Sequence, residues 1–268
     1  MNLHLLKAMY KTNGKIIGGI AVTSFLYLWL IIWLYPTIAD SQAMDELLKS
    51  MPPEMMSAFG LSQGFGSIEA FIAGEYYGLL YIIICLVYVV LVSTALVARL
   101  NDHGSMAYLL ATGVTRSQVI ITQMVVLVSG LFLIALLTYL SGISGTRFII
   151  EDVSINSSHF LKLNVVGFLL FFAVSSYSFL ITCIVSDEKK ALGISAGITL
   201  LFFIFNLVGK MSEDIDWLRN LSIFSLFEPQ EIATGNQEIL GISLMLFLIG
   251  AIFYSFSIII FRNRDLPL

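Results

Sequence analysis

Six stretches without a single Asp, Glu, Lys or Arg set the limits on this chain: residues 16–35, 76–98, 119–141, 165–185, 191–209 and 239–261. They run for 20, 23, 23, 21, 19 and 23 residues and occupy 129 of the 268. A helix rises about 1.5 Å per residue, so each meets or nearly meets the length needed to cross a hydrocarbon core about 30 Å thick. In lipid a backbone must satisfy its own hydrogen bonds, and a helix does so within one segment. The expected fold is an all-α polytopic membrane protein, a single membrane domain over 1–268 with six transmembrane helices. Composition agrees, since 58% of the residues are hydrophobic and 12% charged, against about 25% charged in an average soluble chain. So little charge cannot coat a watery surface, which excludes a cytosolic enzyme. A nucleic-acid partner is excluded too, because it would need a basic face. The first run is longer than a signal-peptide core and no A-x-A site follows it, so it is expected to be a retained span.

The gaps between spans alternate in charge. Segments 1–15, 99–118, 186–190 and 262–268 hold nine basic residues and only four acids, Asp102, Asp187, Glu188 and Asp265, a net +5. Segments 36–75, 142–164 and 210–238 hold five basic residues and fourteen acids, a net −9. Basic residues near span ends favour the cytoplasmic side, so the expectation is a multi-pass chain with both termini in the cytoplasm. The tail before span 1 places Leu3, Leu6 and Met9 on one helical face and Lys7, Lys11 and His4 towards the other. It fits an interfacial helix with its lysines against anionic lipid headgroups, or a basic tail that only sets orientation. Segment 36–75 has helix-forming stretches at 43–49 and 54–59, broken by Pro52–Pro53, and is either laid on the membrane surface or a mobile loop. Residues 215–227, around Trp217, suit the interface or a shallow dip into it. Cys85 and Cys183 sit in apolar runs and read as small core or lipid-facing residues.

Several chemistries are missing. No span has an ionisable residue in its interior, where ion-coupled carriers and proton relays place theirs. There is no H-E-x-x-H, and the histidines are only His4, His103 and His159, so no catalytic or metal-binding residues are assigned. Neither Gly14–Lys15 nor Gly209–Lys210 lies in a phosphate-loop pattern, so the chain itself is expected to bind no cofactor. Uncharged polar residues do mark helix faces: Ser93 and Thr94, Gln123, Ser175, Ser176 and Ser178, and Asn206. They are candidates for a translocation path, or simply helix-packing residues, as are Gly193 and Gly197. Glu69 and Glu75 stand beside the entrance to span 2, as an exit gate or as ordinary loop acids.

The loop between spans 2 and 3 reads RLNDHGSMAYLLATGVTRSQ. Gly104 can begin a short helix with Met106, Leu109 and Leu110 on an apolar face; Gly113 ends it, and Thr115 or Ser117 can cap the next helix. Such a helix could plug a groove on a soluble partner or lie flat on the membrane.

This loop resembles the coupling-helix region of six-span permease subunits of type 2 ABC exporters. Asp102 stands for the acid that precedes a small pair, Gly104–Ser105. Leu109–Leu110 stand for the apolar pair, and Thr115–Arg116 for the ending of the turn. His103 takes the place of a frequent second acid, and Gly113 that of the usual proline. Pro52–Pro53–Glu54–Met55–Met56 with Ala58–Phe59–Gly60, Leu226–Phe227–Glu228–Pro229, and the ending with Arg264–Asp265–Leu266 are similar to further family segments, in order along the chain. The resemblance implies a permease of a bacterial cytoplasmic membrane, paired with a second permease subunit as a homodimer or heterodimer. A separate ABC ATPase subunit would bring ATP and Mg. Asp102, His103, Tyr108 and Arg116 would make polar contacts with that ATPase, while Met106, Leu109 and Leu110 would anchor it. The cargo would be an amphipathic or hydrophobic peptide, lipid or drug. Two other readings are a non-transporting scaffold or sensor that recruits a cytoplasmic partner, and a lipid-modifying enzyme. The enzyme would need an acid or histidine cluster at one membrane face, and Asp102, His103, Asp187, Glu188 and Asp265 show no recurrent spacing.

Overall fold

A computed structural model describes residues 2–39, 41, 50–52, 55–56, 67–150 and 155–264. The expected helix at 43–49, the one at 54–59 apart from helical residues 55–56, most of the proline-containing motif and Asp265–Leu266 lie outside the described residues. Six helices are long and apolar enough to cross a membrane: α1 (Leu3–Ala39), α2 (Ile68–Asp102), α4 (Arg116–Ile149), α5 (Ser157–Ile184), α6 (Glu188–Gly209) and α8 (Ile239–Asn263). Between them lie the short α3 (Ser105–Ala111) and α7 (Pro229–Thr234), with 3-10 turns at Glu213–Leu221 and Ile223–Leu226. No strand occurs among the described residues. The chain is an all-α polytopic membrane protein.

The helices overrun the charge-free stretches because their starts are capped by polar residues. Thr115 and Gln118 form a reciprocal capping box at the start of α4. Asn156 caps α5 and Asp187 caps α6, each accepting hydrogen bonds from free backbone N–H groups. At the amino terminus the structure departs from the expected separate interfacial helix. The basic tail is helical, but it runs without a break into span 1 over 37 residues, and Asn2 N–H donates to Thr122 Oγ1, 3.2 Å away on α4. Buried Leu5 helps fasten it along α4, so it packs on the bundle as part of α1.

Spans 1 and 3 run together, as do spans 4 and 6. Helix α1 lies parallel to α4, with Ser24 beside Thr138 (2.7 Å) and Ser141 Oγ donating to Phe25 O (2.7 Å). Helix α8 lies parallel to α5, with Phe172 stacked on Phe247 and Ser175 bonded to Tyr254. Helices α2, α4 and α5 are the most enclosed, and α1, α6 and α8 show most of their surface outward. Close approach depends on missing side chains: a Cβ on Gly130 would overlap the Tyr88 hydroxyl, which donates to Leu127 O, and one on Gly250 would overlap the Phe172 ring.

Helix α2 carries a nine-residue π-helical stretch, Ile72–Leu80. It turns Tyr76 and Tyr77 inward beside Tyr81, a fully buried trio of rings 5.0 to 5.9 Å apart. The Tyr76 hydroxyl meets Ser24 and Thr138, and Tyr77 donates to Asn164 Oδ1 at 2.9 Å. Four helices are thus stitched by hydroxyl and amide groups in their shared core, the usual polar glue between membrane helices.

Candidate functional site

Contacts between chain ends and loops separate the bundle into two poles. At one, Arg99, Asp102 and His103 meet Glu188; Arg116 meets the end of α8; and Arg264 meets the end of α5. The described parts of the net-basic segments share this basic pole. At the other, Glu69 Oε1 accepts the Asn156 N–H, and Lys210 and Arg219 pair with Glu228.

Glu188 is the hub of the basic pole. Its carboxylate takes the Arg99 Nε–H at 2.8 Å and faces His103 Nε2 at 3.8 Å, while its own N–H donates to Asp102 Oδ2 at 3.2 Å. As the first residue of α6, it also sits where the helix dipole favours an anion. The end of α2 is therefore latched to the start of α6. Asp102, His103 and Glu188 also bring potential metal-ligand atoms within 4.8 Å of one another. Glu188 already holds Arg99, however, and the positive helix terminus opposes a cation, so the cluster reads as an ion-pair latch.

Next to the latch, Gly104 adopts the left-handed conformation (φ 69°) and turns the chain into α3; Gly113 (φ 81°) turns it out again. The orientation of α3 decides what it can offer. Met106 is 2% exposed, and Leu109 and Leu110 pack half-buried against the bundle. Tyr108 is 81% exposed, with Ser105, Gly113 and Thr115 also on the surface. Of the anchor residues expected to enter a partner, Met106 is already enclosed by its own chain, because a seven-residue helix lying on a bundle turns its apolar face down. Arg116 is turned away from α3: its guanidinium donates to Arg262 O and Arg264 O, two carbonyls at the end of α8. Arg264 in turn donates to Cys183 O and Ser186 Oγ, both at 2.7 Å, closing the end of α5.

The path candidates are not gathered around an opening. Ser93, Thr94, Gln123, Ser175, Ser176, Ser178 and Asn206 are all buried in the single chain. Ser93 and Thr94 bond to Val90 O, Ser176 bonds to Ala173 O, and Gln123 reaches Met9 Sδ. These bonds belong to helix packing, because a hydroxyl in an apolar interior turns to its own helix for a partner. Burial also removes these residues from any surface that two subunits could share. Gly193 and Gly197, by contrast, lie on the exposed side of α6, where a Cβ on either would meet no atom within 4 Å.

At the acidic pole, Trp217 is exposed while Phe224 and Phe227 enter the core, so 215–227 both lies on the surface and dips inward. Reading the sequence missed the cluster there: Glu228 bridges Lys210 (2.7 Å) and Arg219 (2.5 Å), and Arg219 also holds Asp216 (3.2 Å). It missed the Tyr76–Tyr77–Tyr81 core as well; the available signal was three tyrosines opening an apolar run that elsewhere has few polar atoms. Glu69 binds the start of α5, and Glu75 is half-buried in the π-helical stretch. No protein family matches the chain, and no curated protein matches it.

Proposed function

We propose that this chain is the permease subunit of a type 2 ABC exporter in a bacterial cytoplasmic membrane, with its basic pole and both termini in the cytoplasm. A separate ATPase would supply ATP hydrolysis and Mg, and a second permease subunit would complete the route for an amphipathic or hydrophobic cargo. The observation that carries this reading is the short, glycine-bounded α3 at the basic pole, displaying Tyr108 and latched through Asp102 and Glu188 to α6. A docking helix must transmit force to the spans, and the latch gives it two of them: α2 through the chain and α6 through Glu188. Closure of a paired ATPase would then shift α2 and α6 together, a rigid-body movement between two packed states.

The test separates docking from folding. Leu109 and Leu110 rest on the bundle, so charging them would disturb the permease itself. Tyr108→Asp changes an exposed side chain. Purified from its native membrane, the wild-type chain should carry an ABC ATPase, and Tyr108→Asp should lose it while inserting and eluting normally. An unchanged complex would sink the assignment of α3. Cargo movement by the reconstituted, ATP-fed complex distinguishes an exporter from a scaffold.

A further inference from the structure

The register between α1 and α4 carries three lysines to membrane depth. Gln123 reaches Met9 and Ser24 meets Thr138, each pair 114 positions apart, and Ile17 borders Gly130 between them. Lys7, Lys11 and Lys15 are therefore level with Ile121, Val125 and Ser129 of α4. In the sequence they precede span 1, but in the fold they stand beside span 3, whose charge-free run begins at Val119. Lys15 is thus ten residues inside that run, about 15 Å along the helix. Tyr88, midway along the charge-free run of α2, reaches the same level at Gly130. The lean of each side chain towards the amino terminus returns only about one turn of that depth.

The face that carries these lysines is not made for lipid. Lys7, Ala8, Lys11, Thr12, Lys15 and Gly19 are all exposed and, at about 100° per residue, share one side of α1. His4 stands at the open end of the same side. Large exposed apolar residues reach only its borders, at Leu3, Tyr10 and Ile16, and return one turn further on at Val22, Leu26 and Leu30. A helix turned to hydrocarbon shows the opposite pattern, and an ammonium there is costly. The helices packed on α1 do not neutralise the charge: α1 and α4 hold no Asp or Glu, and α2 holds none between Glu75 and Asp102. A two-fold partner laid directly on this face would set lysines against lysines.

We propose that this face of α1 lines a water-filled vestibule, entered from the basic pole, that receives the anionic group of an amphipathic cargo. Ionisable side chains at membrane depth face a protein interior or a water-filled cavity, and the single chain encloses no interior here. The three ammonium groups, about 6 Å apart along the helix, hand a phosphate, sulfate or carboxylate from one to the next. The small residues between them leave it room, and the apolar turn at Val22 and Leu26 meets the hydrophobic part of the same molecule. Calling the ligand a cargo rests on the exporter reading; the vestibule and its charge do not.

Thiol labelling of the full chain tests it, with the subunits that copurify, in phosphatidylcholine nanodiscs where both faces meet solvent. The chain's own cysteines are buried. Gly19→Cys adds a thiol at the deep end of the face, where a Cβ meets no atom within 4 Å. Leu248→Cys adds one on the exposed side of α8, fourteen residues from Arg262 and so at similar depth. Anionic sulfonatoethyl methanethiosulfonate should modify Gly19→Cys about tenfold faster than Leu248→Cys, or more. With rates normalised to exposed Ser105→Cys, it should also outpace its cationic trimethylammonium counterpart at position 19. Lys7→Gln with Lys11→Gln and Lys15→Gln should keep the reaction but abolish that preference. Dodecyl phosphate should slow the labelling, and dodecyltrimethylammonium should not. Equal rates at positions 19 and 248 would put the face in lipid and overturn the vestibule. A charge preference that survives the three glutamines, or equal protection by both amphiphiles, would overturn the anion site. No readout needs ATP hydrolysis, so the result stands apart from that of the Tyr108→Asp test.

Discussion

Glu188 shows how a single side chain can tie two helices together without burying a charge. Its carboxylate is part-exposed and its partner Arg99 more so, at 21% and 47%, so water screens the pair, and an exposed ion pair contributes only about 0.2–1 kcal/mol. A double-mutant cycle on Arg99→Ala and Glu188→Ala should return a coupling of about 0.5 kcal/mol, measured by thermal unfolding in detergent. Zero coupling would mean that the latch is not populated. The larger effect belongs to position rather than to stability. With Glu188→Ala, Arg99 and His103 lose their carboxylate partner on α6 while Asp102 keeps the backbone N–H of residue 188; the weakened 102–104 turn should become more open to limited proteolysis, while Lys189→Ala leaves it protected.

At the scale of the element, close-packed glycines and buried hydroxyls separate helices that face their own chain from those that do not. A side chain on Gly130 must push aside Tyr88, whose hydroxyl is fixed on Leu127 O. Gly130→Val should therefore destabilise the bundle by about 1–3 kcal/mol, read as a lower unfolding temperature. Gly193 and Gly197 meet nothing, so Gly193→Leu with Gly197→Leu should leave that temperature almost unchanged. If α6 contributes to the proposed permease dimer, through close helix approach at these glycines, the same variant should shift the purified protein towards monomer in sedimentation. A dimer unaffected by both leucines would place the interface elsewhere. The elements also show what could be read in advance. The Thr115 cap was legible because donor and acceptor lie three residues apart. The span lengths were legible because lipid excludes charge over a fixed thickness. The Arg99–Glu188 latch was not, since 89 positions separate the partners. Nor was the tyrosine core, whose partners Ser24, Thr138 and Asn164 come from three other helices. Burial of Met106 escaped as well, because an apolar face in a loop looks the same whether it meets a partner or its own bundle.

For the whole molecule, the decisive property is that the described parts of the net-basic and the net-acidic segments collect at opposite poles. The sequence supplied the alternation, and the fold turns it into geometry through direct contacts such as Arg264 with Ser186 at one pole and Glu69 with Asn156 at the other. Moving a cluster of lysines and arginines through a bilayer is far less favourable than leaving it on the side of synthesis, so the basic pole should face the cytoplasm. The chain suits a labelling experiment without prior engineering, because its only cysteines, Cys85 and Cys183, are both buried. A cysteine at exposed Ser105, beside the latch, reports the basic pole; one at exposed Glu213 reports the acidic pole. On intact cells a membrane-impermeant maleimide should modify Glu213→Cys and spare Ser105→Cys, and permeabilised cells should expose both. The reverse pattern would invert the molecule and put α3 beyond the reach of any cytoplasmic ATPase. The exporter reading would then fail.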